Sequence, residues 1–529
     1  MRCERPVEGC EVLASANASV TAKIKLEPHV RAKFLERNPH YFEFKWYRGP
    51  LARMCASESC ARCATRDPSA WCKQAGAFPM QCAECQRAGL PRAKTVFCST
   101  ECFKSSWLIH SKLHVSTSDT DGAAKKAAGD DEEEWVELCE GKQYVANSED
   151  RGRPLRIQCK VLSEMTGEVL AGPLTLQTEP VLGMPEKSPR RDIMAISSVP
   201  GNHGAPFRVV SYNALAEIYA TKQMYPHLDT WALAWSYRRM LLFQELIEMH
   251  ADIICLQEVQ ADHYERDVFP FMQSMNYEGV YCQKSRESMG AYGKIDGCAI
   301  FWNCSKFMLV DSCRVEFNEL VRSEAIRMNF NETQTRKYIN ALCKDNIAQF
   351  VTLDFINSQG SPICIGNTHL YSNYLRPEVR LWQTHFFMKE LSQVLSQRDC
   401  AVVICGDFNS EPDSAVYEFL KRGRVSANRP ELMSAEVQVL PKLDEIRHSL
   451  DIQSAMAHAM GQEPLFTNYT ANYKGVLDYI WFSHQFIDLT HVLMPPSEEA
   501  VVRRSGVGLP STQDPSDHIP LCVDFSLLS

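Results

Sequence analysis

Polar side chains with the chemistry of a phosphodiesterase follow short hydrophobic runs between Phe207 and the C-terminus. They occur in the motifs SYN, LQE, NTH, GDFN, LDY and SDH, as Asn213, Glu258, His369, Asp407, Asn409, Asp478, Asp517 and His518. Hydrolysis of a phosphodiester needs a divalent ion that activates water and neutralises the charge of the crowded phosphorane. Mg²⁺ prefers oxygen ligands and keeps several waters, so a few scattered carboxylates and amides suffice to hold it. Either Asp478 or Asp517 can orient His518 for proton transfer or charge stabilisation.

The elements that carry these motifs are predicted to be strands of an α/β domain. Seven short apolar runs have the pattern of buried strands that end in polar residues: FRVVSYN, ADIICLQEV, CAIFW, AQFVTLDF, PICIGNTHL, AVVICGDFN and LDYIWFS. Two further segments, SYRRMLLFQELIEMH and EVRLWQTHFFMKELSQVL, have helical periodicity. A single Asp or Asn after a strand is more often a turn or a helix cap. Gathered at several strand ends, such residues are where a layered α/β domain builds its site.

Cysteine and histidine pairs upstream predict a second, structural metal site. Cys-x-x-Cys, Cys-x-x-x-Cys and His-x-x-x-His spacings follow one another, with two further cysteines before them. These pairs would hold two Zn²⁺ ions through Cys63, Cys72, Cys82, Cys85, Cys98, Cys102, His110 and His114. Ordinary buried thiols are the alternative, and ligand-type residues at such spacings argue against it. Cys60 or Cys55 could replace Cys63 in the first pair.

Length and composition predict several domains in a protein that is not exported. At 529 residues the chain exceeds what one core normally fills. The N-terminus shows no apolar signal segment, and no apolar run approaches the roughly 20 residues that span a bilayer. The 22 cysteines are therefore expected to be cytosolic thiols, some of them bound to metal. We expect a cytoplasmic location and leave a nuclear one open.

Changes in composition divide the chain into six segments. The stretch TSDTDGAAKKAAGDDEEE is typical of a flexible linker, and PEKSPRR lies in a second boundary rich in Pro and Gly. WVELCEGKQYV, PLRIQCKVL and the upstream HYFEFKWYRG alternate like short strands. The predicted segments are an N-terminal segment that is either separate or part of the β-module (1–59), a zinc finger (60–116), an acidic linker (117–134), a small β-module (135–182), a linker (183–206) and the catalytic domain (207–529).

The motifs of the last segment resemble those of the carbon-catabolite-repressor deadenylases, in the exonuclease/endonuclease/phosphatase superfamily. The resemblance covers nearly all of 207–529 and rests on SYNALAEIYA, KIDGCAIFW, ICGDFNSEPDSAVYEFL, EPLFTNYTANYKGVLDYIWFS and PSDHIPL. It implies a two-sheet α/β sandwich and a Mg²⁺-dependent 3′-to-5′ exoribonuclease that shortens mRNA poly(A) tails and releases AMP. The β-module is similar to one that precedes the nuclease in plant members. The sequence has no leucine-rich repeats, so docking to the deadenylase scaffold by that route is not expected.

The resemblance also implies how a metal ion and the attacking water are held. Glu258 would be the principal Mg²⁺ ligand, with Asn213 and Asp517 beside it. Two ions are the family expectation, and Mn²⁺ is expected to substitute. Asp407 and Asn409 would orient the attacking water and touch the scissile phosphate, and Asn409 would also hydrogen-bond the terminal adenine.

Two histidines and two tyrosines complete the implied site on single-stranded RNA. His369 would stabilise the phosphorane, and His518, positioned by Asp478, would contact the phosphate. Tyr473, in NYKGV, stands where family members have an aromatic residue that stacks on the terminal adenine. Tyr374 stands where many members have a proline that closes the base pocket. Tyr374 either stacks in place of that proline, or the base pocket has a different shape here, or this residue is an ordinary tyrosine of a surface loop.

The segment from Cys82 to His114 resembles the MYND-like finger of type-one methionine aminopeptidases. This implies interleaved pairing, with one ion held by Cys63, Cys72, Cys98 and Cys102 and the other by Cys82, Cys85, His110 and His114. Since every position is filled by a protein ligand, the finger has no open site for chemistry and is structural. The resemblance implies docking to proteins or ribosomes.

Two other functions stay open. A nocturnin-like or angel-like phosphatase would keep the fold and act on a dinucleotide or on an RNA-end phosphate. A zinc-finger adaptor with an inactive nuclease domain would belong to another class, and the complete set of motif residues argues against it. The net charge of −9 argues against binding nucleic acid over the whole surface, but it is compatible with one strand in a local groove.

Overall fold

A computed structural model of the protein describes residues 11–13, 40–49, 80–81, 96–97, 135–183, 191–196, 203–285, 294–356, 361–426, 428–433 and 445–528. The chain divides into two compact units, Met1–Pro185 and Glu186–Ser529. Among the described residues, no helix is both long enough and apolar enough to cross a membrane.

The first unit contains a four-stranded antiparallel sheet. Its strands and those of two smaller pairs are β1 (Glu11–Leu13), β2 (His40–Arg48), β3 (Met80–Gln81), β4 (Val96–Phe97), β5 (Val136–Glu140), β6 (Gln143–Val145), β7 (Pro154–Ser163) and β8 (Val169–Pro180). The order in the main sheet is β5-β2-β7-β8, and the separate pairs are β1-β6 and β3-β4. A strand from the N-terminal segment therefore lies between two strands of the segment 135–182. Trp46 is fully buried in this sheet, and its indole N–H donates to the carbonyl of Gly141 over 3.0 Å.

The predicted zinc ligands and the acidic linker lie outside the described residues. The ligands are Cys63, Cys72, Cys82, Cys85, Cys98, Cys102, His110 and His114, and the alternatives Cys55 and Cys60 are outside as well. The short β3-β4 pair is the part of this segment that the structure describes.

The second unit alternates strands with helices. Its strands are β9 (Ile193–Ala195), β10 (His203–Asn213), β11 (Ile253–Gln260), β12 (Tyr277–Gln283), β13 (Asp296–Asn303), β14 (Phe307–Glu316), β15 (Ile347–Phe355), β16 (Ile363–His369), β17 (Ala401–Asp407), β18 (Arg424–Ser426), β19 (Glu445–Arg447), β20 (Gln453–Ser454), β21 (Asn468–Tyr469), β22 (Lys474–Gly475), β23 (Asp478–Phe482), β24 (Ile487–Leu493) and β25 (Leu521–Leu528). Its helices are α1 (Thr230–Leu233), α2 (Trp235–Met249), α3 (Ala261–His263), α4 (Phe269–Ser274), α5 (Phe317–Arg327), α6 (Glu332–Leu342), α7 (Pro377–Leu395), α8 (Ala415–Arg422), α9 (Pro430–Met433), α10 (Ala455–Met460) and α11 (Glu498–Ser505).

Two sheets pack face to face in this unit and confirm the predicted α/β sandwich. The strand orders are β12-β13-β11-β10-β25-β24-β9 and β14-β15-β16-β17-β23-β20. Alternate residues of the central strands, such as Val209, Ile365 and Val403, interlock in the core between the sheets. The outer face of the second sheet is covered by α5 to α8, and α2 and α4 cover the first. The near-continuous apolar runs of the sequence thus mark strands that are buried on both faces.

Part of the stretch predicted as a linker, 183–206, belongs instead to the first sheet. β9 forms its edge and pairs with β24, and β10 begins at His203. Backbone bonds from Ile196 to Thr490 and from Met494 to Asp192 extend the β9 pairing, and Met194 packs against the core. A three-residue edge strand needs only one apolar side chain that points into the core. Such a strand leaves no recognisable pattern in a sequence rich in Pro and Gly.

Parallel pairing brings the polar ends of the central strands to one edge of each sheet. β10 is parallel to β11, and β16 is parallel to β17. Gly406 lets β17 approach β16 closely at this edge, with φ at +159°. A Cβ atom at this position would stand 2.3 Å from the carbonyl oxygen of Thr368, which is closer than any real contact.

We expect Gly406→Ala to destabilise the second unit far more than Gly461→Ala. Both glycines have positive φ, but a Cβ at Gly461 would meet nothing within 4 Å. Gly461→Ala, the control, should therefore lower the free energy of unfolding by about 1 kcal/mol, because only the backbone conformation is unfavourable. Gly406→Ala should lower it by more than about 3 kcal/mol. Urea unfolding of both variants measures the difference. Equal losses would show that the strands can separate without penalty.

Candidate active site

The motif residues of the two sheets meet at the polar edge of the sandwich. In the strand register His369 is opposite Asp407, and Asp407 is opposite Asp478. Asn213 and Glu258 end or nearly end the parallel strands of the facing sheet. Glu258 is partly buried, and the following motif residues each expose less than a tenth of their surface: Asn213, His369, Asp407, Asp478, Asp517 and His518.

Asn213 lies at the centre of the cluster and joins the two sheets. Its side-chain nitrogen lies 3.2 Å from Oε1 of Glu258 and 3.0 Å from Oδ2 of Asp407. It also lies 3.5 Å from Nε2 of His518, and its Oδ1 accepts from the backbone of Leu215. The amide therefore orients two carboxylates without adding charge.

Glu258 is held at a bulge in β11. Its backbone has φ at +56°, and the register with β13 shifts at this point. Oε2 accepts a hydrogen bond from the backbone N–H of Ala216 over 3.0 Å. Burial, and after it the neighbouring Asp296, raise the pKa of Glu258, while Lys284 lowers it. The surroundings of this carboxylate therefore disfavour its charged form.

A buried ion pair beside Glu258 was missed by the sequence analysis. Nζ of Lys284 lies 2.6 Å from Oδ2 of Asp296, and the hydroxyl of Tyr219 donates to Oδ1 over 3.0 Å. Asp296 lies in the motif KIDGCAIFW, but nothing in the sequence indicates that its partner is Lys284. The pair places one compensating cation next to the carboxylates.

His369 stands between two of the carboxylates. Its Nε2 lies 3.6 Å from Oδ2 of Asp407, and its Nδ1 lies 4.0 Å from Oε1 of Glu258. The backbone carbonyl of His369 accepts from the side chain of Asn346 over 2.9 Å, and Gln383 in turn donates to Asn346. The strand end that carries the imidazole is therefore fixed by a buried amide pair.

Asp407 is the carboxylate with the clearest pKa shift. Burial and then the neighbouring Asp478 raise its pKa to about 7. Oδ1 accepts the backbone N–H of Asn409 over 2.9 Å. The side chain of Asn409 donates to the carbonyl of Leu370, and its backbone has φ at +48°. The loop after β17 thus folds back to hold Asp407 and Asn409 together.

His518 pairs with Asp478, one of the two acids that the sequence left open for this role. Its Nδ1 donates to Oδ2 of Asp478 over 2.8 Å, and Thr467 donates to the same oxygen over 2.6 Å. Burial opposes protonation of His518, but Asp478, Asp517 and Asp407 together raise its pKa well above the usual value. Nε2 lies 3.7 Å from Oδ2 of Asp407. The acids that surround His518 therefore favour its protonated form.

Among the motif residues that the structure describes, two buried carboxylate oxygens accept no hydrogen bond. They are Oδ1 of Asp517 and Oδ1 of Asp478. The other oxygen of Asp517 accepts from Tyr225 and Asn468, over 2.9 and 3.1 Å. Ligand atoms of Asp407, Asp478 and His518 also lie within 4.8 Å of one another. Orphaned carboxylate oxygens in a buried site fit a divalent cation of the Mg²⁺ type, which takes oxygen ligands.

The two tyrosines predicted to contact a base lie in different settings. Tyr473 is half-buried at the end of the β21-β22 hairpin, and its hydroxyl donates to Glu411 over 2.7 Å. Tyr374 is 80% exposed in the loop after β16. Arg380 donates to the carbonyl of Asn373 over 2.6 Å and holds this loop against α7. Stacking by either ring stays a prediction.

Sequence profiles of two protein families match the chain. The profile described as "Endonuclease/Exonuclease/phosphatase family" matches residues 210–518, which is more than half of the chain. A second profile, described as "zf-MYND-like zinc finger, mRNA-binding", matches residues 55–116. The predicted zinc finger is thereby confirmed as a domain, and its span includes Cys55 and Cys60.

Individual relatives are similar to the chain over different extents. "Carbon catabolite repressor protein 4 homolog 1" of Arabidopsis thaliana is 30% identical, over 99% of this chain and 96% of its own length. "CCR4-Not complex 3'-5'-exoribonuclease subunit Ccr4" of Kluyveromyces lactis is 34% identical over 61% of this chain and 41% of its own length. The crystal structure of ANGEL2, a 2′,3′-cyclic phosphatase, superimposes with a TM-score of 0.52 at 28% identity. It covers 64% of this chain and 99% of that structure.

The sandwich, the eight converging polar residues and a likeness that spans the whole chain therefore agree. The chain belongs to the endonuclease/exonuclease/phosphatase family and, within it, to the carbon catabolite repressor 4 proteins.

Proposed function

We propose that the protein is a Mg²⁺-dependent 3′-to-5′ exoribonuclease that shortens poly(A) and releases AMP. The buried cluster of carboxylates around Asn213, with two oxygens that lack hydrogen bonds, is the observation that carries the proposal. A relative that is 34% identical over 61% of this chain is named a 3′-5′ exoribonuclease, which supports the direction of cleavage.

Glu258, Asn213 and Asp517 would hold the cation, with the orphaned oxygen of Asp517 as one of the ligand atoms. Bound there, Mg²⁺ or Mn²⁺ would neutralise charge on the scissile phosphate and lower the pKa of a water. Two such ions are the family expectation. All three residues lie on or just before strands of the first sheet, namely β10, β11 and β25.

The other residues then act on the attacking water and on the phosphate. Asp407, whose pKa is about 7, can accept the proton of the water near neutral pH. Asn409 lies beside it to orient that water. His518 keeps its proton through Asp478 and would place a positive charge against the phosphate. His369 lies between Asp407 and Glu258, where it would stabilise the negative charge of the phosphorane.

Adenine preference would rest on Tyr473 and on hydrogen bonds to the base edge. Stacking on an aromatic ring contributes about 1–3 kcal/mol per base and tolerates any base. Asn409 lies on the loop that also contacts the hairpin of Tyr473, through Glu411. Tyr374, exposed beside the site, would be free to close on the other face of the base.

The zinc finger would recruit the nuclease to its RNA or to a protein. We propose that it holds two Zn²⁺ ions in the interleaved pairing given above, and that it acts in the cytoplasm as a docking module. The description of its family profile as mRNA-binding supports RNA as the partner, with proteins or ribosomes as alternatives.

A phosphatase is the second candidate function. ANGEL2, whose structure shares the fold at 28% identity, is a 2′,3′-cyclic phosphatase. The same buried cluster could hydrolyse an RNA-end phosphate or a dinucleotide phosphate, because the chemistry at phosphorus is alike. An inactive adaptor is a third reading, and the complete cluster argues against it.

We expect Glu258→Ala to abolish shortening of labelled oligo(A) in Mg²⁺, with a loss of about a hundredfold or more, because it removes the principal ligand. Glu248→Ala removes an exposed acid of α2 and serves as the matched control. Gel analysis of oligo(A) and oligo(C) measures both rate and preference.

Three outcomes of that assay and of a parallel measurement of phosphate release would contradict the proposal. Equal turnover of oligo(A) and oligo(C) would refute the preference for poly(A). Phosphate release from a 2′,3′-cyclic end or from NADP(H), without shortening of oligo(A), would indicate the phosphatase. If the protein cleaved no phosphodiester in Mg²⁺, the inactive zinc-finger adaptor would be the remaining hypothesis.

Stabilisation by Mg²⁺ is expected to increase with pH between about 4 and 7. The carboxyl of Asp407 has a raised pKa of about 7 in the folded, metal-free protein, against about 3.9 when unfolded. Its contribution to stability is therefore lost as pH rises through this range, and a cation can replace the lost proton. Thermal unfolding with and without Mg²⁺ measures the effect. In Asp407→Asn, the stabilisation by Mg²⁺ should depend less on pH. If Mg²⁺ raised the unfolding temperature of the wild type equally at pH 4 and pH 7, the prediction would be wrong.

Interleaved pairing predicts how zinc content responds to paired substitutions. Changing Cys82 and Cys85 to Ser should remove one Zn²⁺ per chain, whereas changing Cys82 and Cys98 should remove both. Elemental analysis measures the content, with Cys139→Ser in the β-module as the control. Loss of one ion in both double variants would show that Cys82 and Cys98 share a site. Oligo(A) shortening should be unchanged throughout, because the nuclease is a separate unit.

A further inference from the structure

An acidic side chain lies at the edge of the Tyr473 ring. Glu411 is in the loop after β17, two residues beyond Asn409, and is exposed. Its Oε1 accepts the hydroxyl proton of Tyr473 over 2.7 Å. Among the described residues, no hydrogen bond reaches its other oxygen, Oε2. One oxygen therefore holds the ring, and the other remains available for a ligand.

Several contacts keep this pair in place. Oγ1 of Thr470 accepts the backbone N–H of Tyr473 over 3.1 Å, and the N–H of Thr470 donates to the carbonyl of Tyr473 over 2.7 Å. A Cβ at Gly475 would lie 2.3 Å from the Tyr473 hydroxyl and 3.0 Å from Oε1 of Glu411. Gly475 thus leaves the space that the pair occupies.

The pair lies close to the catalytic carboxylates. Burial and then the hydrogen bond to Glu411 raise the pKa of Tyr473, and Asp407 and Asp478 act in the same direction. The hydroxyl therefore keeps its proton at neutral pH and remains a donor to Glu411. Because the loop that carries Asn409 and Glu411 follows Asp407 directly, the bond also ties the stacking ring to the loop that would position the attacking water.

We propose that Glu411 is a specificity-determining residue, which fixes the Tyr473 ring through Oε1 and accepts a hydrogen bond from the amino group of the stacked base through Oε2. A base that lies parallel to the ring brings its edge next to a group at the ring's edge. An ionised carboxylate can only accept hydrogen bonds, so it favours the 6-amino group of adenine and repels a 6-oxo group. The inference rests on the proposed function, in which the base is a 3′-terminal adenine.

Glu411→Gln separates the two tasks of this side chain. The amide oxygen can still accept from the Tyr473 hydroxyl, but an NH₂ donor then replaces Oε2. The ring stays fixed while the polarity offered to the base is reversed. Asp413→Asn makes the same change of charge at an exposed acid of the same loop and is the matched control.

The experiment compares equilibrium binding of AMP, purine riboside 5′-monophosphate and inosine 5′-monophosphate to the full chain. The first two differ only in the 6-amino group. Wild type and Asp413→Asn should favour AMP over the purine nucleotide by about tenfold, as expected for a hydrogen bond to a charged acceptor. Glu411→Gln should lose this preference and bind inosine monophosphate better than wild type does. A misfolded variant could not show that gain.

Equal affinity of wild type for AMP and the purine nucleotide would overturn the inference, as would an unchanged preference in Glu411→Gln. Mononucleotide binding needs no cleavage, so the two proposals fail separately. Selective AMP binding without oligo(A) shortening would refute the exoribonuclease alone. Oligo(A) shortening without selective AMP binding would refute the role of Glu411 alone.

Discussion

Negative charge buried at one edge of two packed sheets is the constraint on which the rest of this nuclease unit depends. Glu258, Asp407, Asp478 and Asp517 come together there, and an isolated buried carboxylate costs several kcal/mol. The protein offsets part of that cost with an imidazolium at His518 and raises the pKa of two of the acids. Lys284, paired with Asp296, adds one cation beside these acids, and the two motif carboxylate oxygens without hydrogen bonds fit a further, divalent one.

The sandwich gathers this charge through its parallel strand pairs. The pairs β10-β11 and β16-β17 lie near the middle of their sheets and end at the same edge. Leu215, Glu258 and Asn409, next to those ends, have positive φ, which a residue other than glycine adopts at a cost. At these three positions the chain turns sharply enough to point polar groups inward. The packed apolar layers between and around the sheets hold these residues in their unfavourable backbone conformations.

The sequence alone predicts strands and strand ends well here, because fully buried strands leave unbroken apolar runs with a polar residue at the end. Pairings between distant segments leave no such local trace. Lys284 and Asp296 meet across a β12-β13 turn region, and β2 joins β5 and β7 from far upstream. The choice of Asp478 over Asp517 as the partner of His518 depended on strand register, which periodicity does not reveal. The edge strand β9 was hidden because three residues show no period.

The position of β2 also bears on the evolution of the zinc finger. Arg48 and Val136 lie opposite each other in the β2-β5 pair, although residues 49–135 separate them in sequence. The finger segment leaves the sheet and returns to it at adjacent positions, as an inserted domain does. A cassette attached in this way can be gained, lost or exchanged while the sheet keeps its strand order. The finger segment precedes β5 in sequence, so a pulling force applied between the β-module and the nuclease would not pass through it.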